Sequence, residues 1–228
     1  MQIKPFLLII LFFTLFMNNN VSASYCPKKI TAFENGIAAK AYSKILLEIY
    51  QHLGCSAEIV FLPPKRGIVE FNKGKVDGEL YRLAITETKY KTPFVRSGVP
   101  LYQYRAGVWR NPSLHEHHGK PLGYVRGLTW QVKYIESHPE IRAVEFDSPG
   151  NVLDAYQRGA ISGFLSGEPM MHPKLANHEI FPTPILDKVL IDKPIYHYLH
   201  ADYTPFMRDF SAKVEKNNFF KNVALYFD

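Results

Sequence analysis

One order of segments occurs twice along this chain: strand, helix, strand, helix, strand. In the first pass, residues 29–33 (KITAF) read as a short strand. Residues 36–53 follow, with Ala39, Tyr42, Ile45, Leu46, Ile49, Tyr50 and Leu53 at spacings of three and four, and Gly54 stops this amphipathic helix. Residues 57–62 (AEIVFL) read as a second strand ended by Pro63 and Pro64, residues 66–73 as a second helix closed by Gly74, and residues 76–81 as a third strand. The pattern restarts near Pro121, with strands at 122–125, 144–146 and 161–165 and helices at 130–137, capped by Thr129, and 151–158. Strands separated by single helices pair in parallel, because the crossover helix packs back on the sheet. Two such units, joined by an extended segment at 99–109, predict an α/β chain of two lobes rather than one long sheet. Beyond Pro184, residues 189–191 and 195–200 read as strands and 205–216 as a last helix.

The amino terminus predicts export. Lys4 precedes an apolar run from Phe6 to Met17, and Val21-Ser22-Ala23 offers a small-residue cleavage site, so residues 1–23 read as a signal peptide. A membrane span needs about 20 apolar residues, more than this run supplies. Tyr25 stands where a lipoprotein signal before Cys26 needs a small residue, so a soluble periplasmic product is expected. Cys26 and Cys55 are then a bridged pair, the alternative being two separately buried thiols. The formal charge is +6, and +5 once Lys4 is removed, with the basic residues scattered rather than clustered. This distribution argues against a nucleic-acid footprint and leaves a mild preference for anionic ligands.

Several segments resemble one known family. Pro64-Lys65-Arg66 followed by residues 72–79 (NKGKVDGE), the strand-to-helix turn at 120–129 (KPLGYVRGLT), residues 153–161 (LDAYQRGAI) and residues 196–200 (YHYLH) are similar, in order and spacing, to motifs of bacterial extracellular solute-binding proteins of family 3, related to the polar amino-acid binders. The resemblance implies a two-lobed type-2 periplasmic-binding-protein fold with two crossover strands. It places lobe one at 24–109 and 191–228 and lobe two at 110–190. It also implies a small polar ligand, anionic or zwitterionic, held in a cleft that closes by a hinge, and delivery to an ABC-transporter permease or membrane sensor, with the protein a monomer. The segment that clamps an amino acid's carboxylate with an arginine in this family reads Ala84-Ile85-Thr86-Glu87-Thr88-Lys89 here, and Gly167, beside Glu168, stands where the partner of the amino group falls. These departures point away from a standard amino acid.

Ligands of open α/β sheets bind beyond the carboxyl ends of the strands. That rule selects Glu34, Arg66, Glu79, Tyr81 and Arg82 in lobe one and Arg126, Gly127, Thr129 and Glu168 in lobe two. Arg126 and the turn through Gly127 can present a guanidinium and free backbone N–H groups to an anion, unless Thr129 merely caps the helix and Arg126 is solvated. Arg66, Glu79 and Arg82 either meet the ligand or form an internal ion network. Tyr81, Tyr102 and Trp130 either stack on the ligand or pack in core and hinge. His115, Glu116, His117 and His118 lack helical ligand spacing and read as a solvated loop, so no metal is expected. Ser166 comes one place late for a nucleophile elbow, and no phosphate-binding loop is present, so no catalytic residue, cofactor or nucleic-acid partner is assigned. The competing readings are a dehydratase-like enzyme using Glu79 and Glu168, and a periplasmic interaction protein without a working cleft.

Overall fold

The computed structural model describes residues 26–33, 37–112 and 119–221. The leader read at 1–23 and the His115–His118 stretch lie outside the described residues. The first unit is β1 (Lys29–Phe33), α1 (Ile37–His52), β2 (Glu58–Leu62), α2 (Pro64–Asn72) and β3 (Gly78–Leu83). β1 lies between β2 and β3, parallel to both. α1 forms where the sequence spacing placed it, and its apolar stripe of Tyr42, Ile45, Leu46, Ile49 and Tyr50 is buried against Ile30 and Leu80. Each large apolar side chain so buried contributes about 1.5–3 kcal/mol. Cys26 and Cys55 form the expected disulfide, with Cα atoms 5.5 Å apart.

The starts of α2 and β3 differ from expectation. Pro64 does not merely end β2; it occupies the first turn of α2, where its missing N–H costs nothing. β3 begins at Gly78 rather than Val76. The Asp77 carboxylate accepts the backbone N–H groups of Lys28 and Lys29 at 2.7 and 2.8 Å and the Tyr203 hydroxyl at 2.8 Å, which holds residue 77 in the turn.

After β3 come a 3-10 segment (Ala84–Lys89) and a short strand β4 (Phe94–Arg96). β5 (Tyr102–Arg110) leads into the second unit: β6 (Leu122–Val125), α3 (Thr129–Glu136), β7 (Ala143–Phe146), α4 (Pro149–Gln157) and β8 (Gly163–Gly167). β8 starts two residues later than expected, which brings Ser166 and Gly167 into register with Gly107 and Ala106 of β5. α5 (Glu168–Ala176) was not anticipated from the sequence. Pro169 and Pro173 hide it there, although the first helical turn tolerates proline. The two strands expected at 189–191 and 195–200 are one strand, β9 (Ile185–His200), which ends before α6 (Thr204–Asn217).

β5 and β9 are the two crossover strands, antiparallel to each other over residues 102–110 and 185–195. Because β9 also pairs with β3 and β5 with β8, the ladder is continuous in the order β2-β1-β3-β9-β5-β8-β6-β7. The two separate sheets expected from the sequence are therefore joined by the crossing strands. One core gathers Ile30, Ile45, Leu80, Leu199, Phe206 and Phe210; a second gathers Val125, Val152, Tyr156, Phe164 and Met171; a third, smaller one of Leu83, Ala106, Val108, Leu122, Trp130 and Leu165 lies along the crossing strand β5. This is a mixed α/β, two-lobed type-2 periplasmic-binding-protein fold.

Candidate functional site

Between the two larger cores, at the carboxyl ends of the parallel strands, lies a cavity of about 550 Å³. That volume falls within the usual range for small-molecule sites, about 300–1,000 Å³. Its lobe-one wall comes from Phe33 at the end of β1, Tyr42 on α1, Tyr81 and Arg82 on β3, and Thr86. The crossing strands add Tyr102, Tyr104 and Ile195. The opposite wall is built from Leu128, Thr129, Trp130 and Gln131 at the start of α3, Ser166 and Gly167 at the end of β8, and Met170 on α5.

The aromatic residues support one another. Tyr42 stacks on Tyr102 at 4.5 Å between ring centroids, and Tyr81 meets Phe33 and Tyr42 edge-on at 5.3 and 5.5 Å. Burial pushes the hydroxyls of Tyr42, Tyr81, Tyr102 and Tyr104 well above the usual phenol range, so all four remain protonated. The Trp130 side chain beside Tyr104 works against that rise. Gln131 fixes the other wall: its side chain accepts from the Val125 backbone N–H at 2.6 Å and donates to the Leu165 carbonyl at 3.0 Å. The Trp109 indole N–H donates to the Ser166 carbonyl at 3.0 Å.

Beneath the cavity lies a buried ion pair. Arg82 is 3% exposed and donates to Glu79, which is 1% exposed, and to the Pro64 carbonyl at 3.1 Å. Its guanidinium carbon sits 4.1 Å from the Phe33 ring centroid. The Tyr90 hydroxyl donates to the second oxygen of Glu79. Glu79 is thus saturated from two sides and faces Arg82 rather than the cavity.

The residues selected from the strand-end rule divide into three groups. Tyr81, Arg82 and Thr129 line the cavity. Thr129 does not cap α3; it is the first helical residue, Leu128 takes the cap position, and no side chain caps that end. Glu79 lies one layer below. Arg66, Arg126 and Glu168 are engaged elsewhere. Arg66 pairs with Glu70 at 2.8 Å along α2 and borders a shallow hollow with Lys29 and Glu58. Arg126 is exposed and bridges Glu145 and Asp147 at 2.7 and 3.1 Å, because the strand ends of β6 and β7 bring those acids beside it. Glu168, which opens α5, lies 3.0 Å from Arg105 on β5. Gly127 has φ +81° and abuts the Lys65 backbone of the other lobe, where a Cβ would come within 2.4 Å, so it is a lobe-to-lobe contact and not cavity wall. Glu34 lies outside the described residues.

Sequence reasoning missed Tyr42, Tyr104 and Met170 as cavity residues. The alternation Tyr102-x-Tyr104 was the available signal, since it puts both rings on one face of a strand. Among the described residues no group of three or more His, Cys, Asp or Glu side chains could hold a metal, and no helix is long and apolar enough to cross a membrane.

No protein-family model and no curated protein matches the sequence. Solved structures do match in fold. A mutant of ArgBP from T. maritima superposes with a TM-score of 0.70 at 13% identity, covering 89% of this chain and 93% of that one. The GluR0 ligand-binding core from Nostoc punctiforme, solved with L-glutamate, gives 0.69 at 14% identity over 86% of this chain and 97% of that one. The solute receptor for L-cysteine of Neisseria gonorrhoeae gives 0.69 at 16% identity over 87% and 88%. The fold implied by the sequence motifs and the fold of these neighbours are the same.

Proposed function

We propose that this chain is an exported solute-binding protein that captures a small ligand in the cavity between its lobes and hands it to a membrane transporter or sensor without altering it. The observation that carries this reading is the cavity itself. It lies at the carboxyl ends of the parallel strands of both units, and residues from both lobes and both crossing strands wall it. The neighbours support it, since those named above are ArgBP, a ligand-binding core in complex with L-glutamate and a solute receptor for L-cysteine. The Cys26–Cys55 bridge supports an oxidising compartment outside the cytoplasm.

Lobe one is taken as 24–109 with 191–228 and lobe two as 110–190. A bulge supports a hinge near that border: Ala106 pairs with Ile191 but Gly107 with Val189, so Leu190 is the extra residue. Bulges bend the strand that carries them. Binding without chemistry is supported by the state of the two acids that the sequence offered for catalysis. Glu79 is held by Arg82 and Tyr90, and Glu168 by Arg105. A general acid or base needs reach to the reacting proton, which neither has toward the cavity.

The test is native mass spectrometry of protein purified from the periplasm, joined to small-angle scattering with and without the bound small molecule. A co-purifying mass, compaction on binding, and recovery of that molecule unchanged after long incubation are expected. Turnover of the bound molecule would replace the binding reading with an enzymatic one.

A further inference from the structure

We infer that the ligand is an aromatic or similarly apolar carboxylate that carries no ammonium group. This rests on the cavity being the ligand site, as proposed above. An ammonium taken out of water needs a carboxylate beside it, because desolvation otherwise outweighs what neutral dipoles return. Among the described residues two acids line the cavity, Asp154 and Glu179. Glu179 is bound by Lys174 at 2.9 Å and Asn177 at 3.2 Å, and Asp154, on α4, is exposed, so its charge stays in water and not in the dry interior where an ammonium would need it. Glu79 and Glu168 are committed to arginines. At the end of β8, where a side chain would enter the cavity, the residue is Gly167. A Cβ there would lie 2.3 Å from the Tyr104 hydroxyl oxygen, so a phenol already fills the space an acid would need.

An acceptor group is received differently. α3 begins at the cavity wall with no side-chain cap, whereas the first turn of α5 already carries the Glu168 carboxylate and Pro169, which has no N–H. The first N–H groups of a helix have no partner within it and favour negative charge. Arg82 lines the cavity, and its Nε finds no hydrogen-bond partner among the described residues. The buried tyrosine hydroxyls are protonated and can donate as well. The rest of the wall, from Phe33, Trp130, Leu128 and Met170, suits a flat apolar body.

The test compares 3-phenylpropionate with L-phenylalanine, which differ only by the α-ammonium, and with 3-phenylpropanamide, which lacks the charge. Calorimetry and thermal shift on the wild-type protein are expected to show 3-phenylpropionate binding at least tenfold more tightly than L-phenylalanine, with the amide between them or weaker. Met170→Trp, which fills the cavity, is expected to weaken 3-phenylpropionate at least tenfold while the protein still unfolds cooperatively. L-phenylalanine binding as tightly as the acid, another amino acid binding where the acid does not, or undiminished binding in Met170→Trp overturns the inference and leaves the solute-binding reading standing. If no acid and no amino acid binds at all, both fall.

Discussion

Replacing Glu79 by leucine strands a buried charge. In the native protein, Glu79 and Arg82 are 1% and 3% exposed and satisfy each other, with Tyr90 donating to Glu79 and Arg82 donating to Pro64. Without the carboxylate, the guanidinium keeps one carbonyl and the face of Phe33 at 4.1 Å. The ring returns about 0.5–2 kcal/mol. Breaking a buried pair from one side costs about 3–5 kcal/mol, and the orphaned Tyr90 hydroxyl adds about 1 kcal/mol. Against a typical total of about 5–15 kcal/mol this is a large fraction, and the melting temperature is expected to fall by roughly 6–20 °C. Removing both charges is a different perturbation. Glu79→Leu with Arg82→Met leaves an apolar layer of similar volume, so at least half the loss is expected to return. Urea unfolding of wild type, single and double variants, with m-values compared, measures this. A single variant within about 1 kcal/mol of wild type, or a double variant less stable than the single, would refute the claim that the pair is dry and mutually dependent.

Serine at Cys26 and Cys55 is expected to lower stability by about 2–4 kcal/mol and leave ligand affinity unchanged, because the bridge closes a loop of 29 residues far from the cavity; denaturant melts and calorimetry check both halves. Arg126→Ala is expected to change affinity less than twofold, since its guanidinium is engaged by Glu145 and Asp147 outside the cavity. Burial pushes His197 down to about 4 in the folded protein, while the unfolded chain takes up that proton near 6.5. Stability from this residue is therefore complete above pH 6.5 and falls by about 3 kcal/mol as the pH drops to 4, and a pH series of urea melts on wild type and His197→Gln should show the slope only in the former.

The helices and parallel strands were readable because their patterns are local. α1 announces itself by spacing alone, and β1 and β2 are short apolar runs bounded by polar residues and prolines. What escaped depends on distant partners. β9 looks like two strands because Asp187, Lys188, Asp192 and Lys193 interrupt its apolar residues. Those charges are tolerated because β9 is half exposed where it crosses between lobes, and they find partners across the ladder, such as Gln103 for Asp192 at 2.6 Å and Arg105 at 3.9 Å. α5 carries two prolines and no amphipathic stripe, so nothing in the sequence declared it. The candidate site was legible as a location but not as a chemistry. The strand-end rule led to Tyr81, Arg82 and Thr129, yet it ranked charged residues first. Arg66, Arg126 and Glu168 turn out to have partners nearer than the cavity, and a sequence without coordinates cannot see that competition.

The crossing strands connect the site's chemistry to the closing motion proposed for it. Tyr102, Tyr104 and Ile195 lie on β5 and β9 and line the cavity, while the bulge at Leu190 sits a few residues along the same ladder. Any change in the angle between lobes must pass through those strands, so it also moves the rings. Several contacts span the lobes among the described residues, including the Arg105–Glu168 ion pair at 3.0 Å. Another is Trp130 beside Tyr104, where a ligand between the walls can touch both rings. A third is Gly127 against the Lys65 backbone, a close approach that only a residue without a side chain permits. A ligand shifts the balance between open and closed forms only through contacts that differ between them. In the proposed closure those contacts come from the aromatic walls and the start of α3.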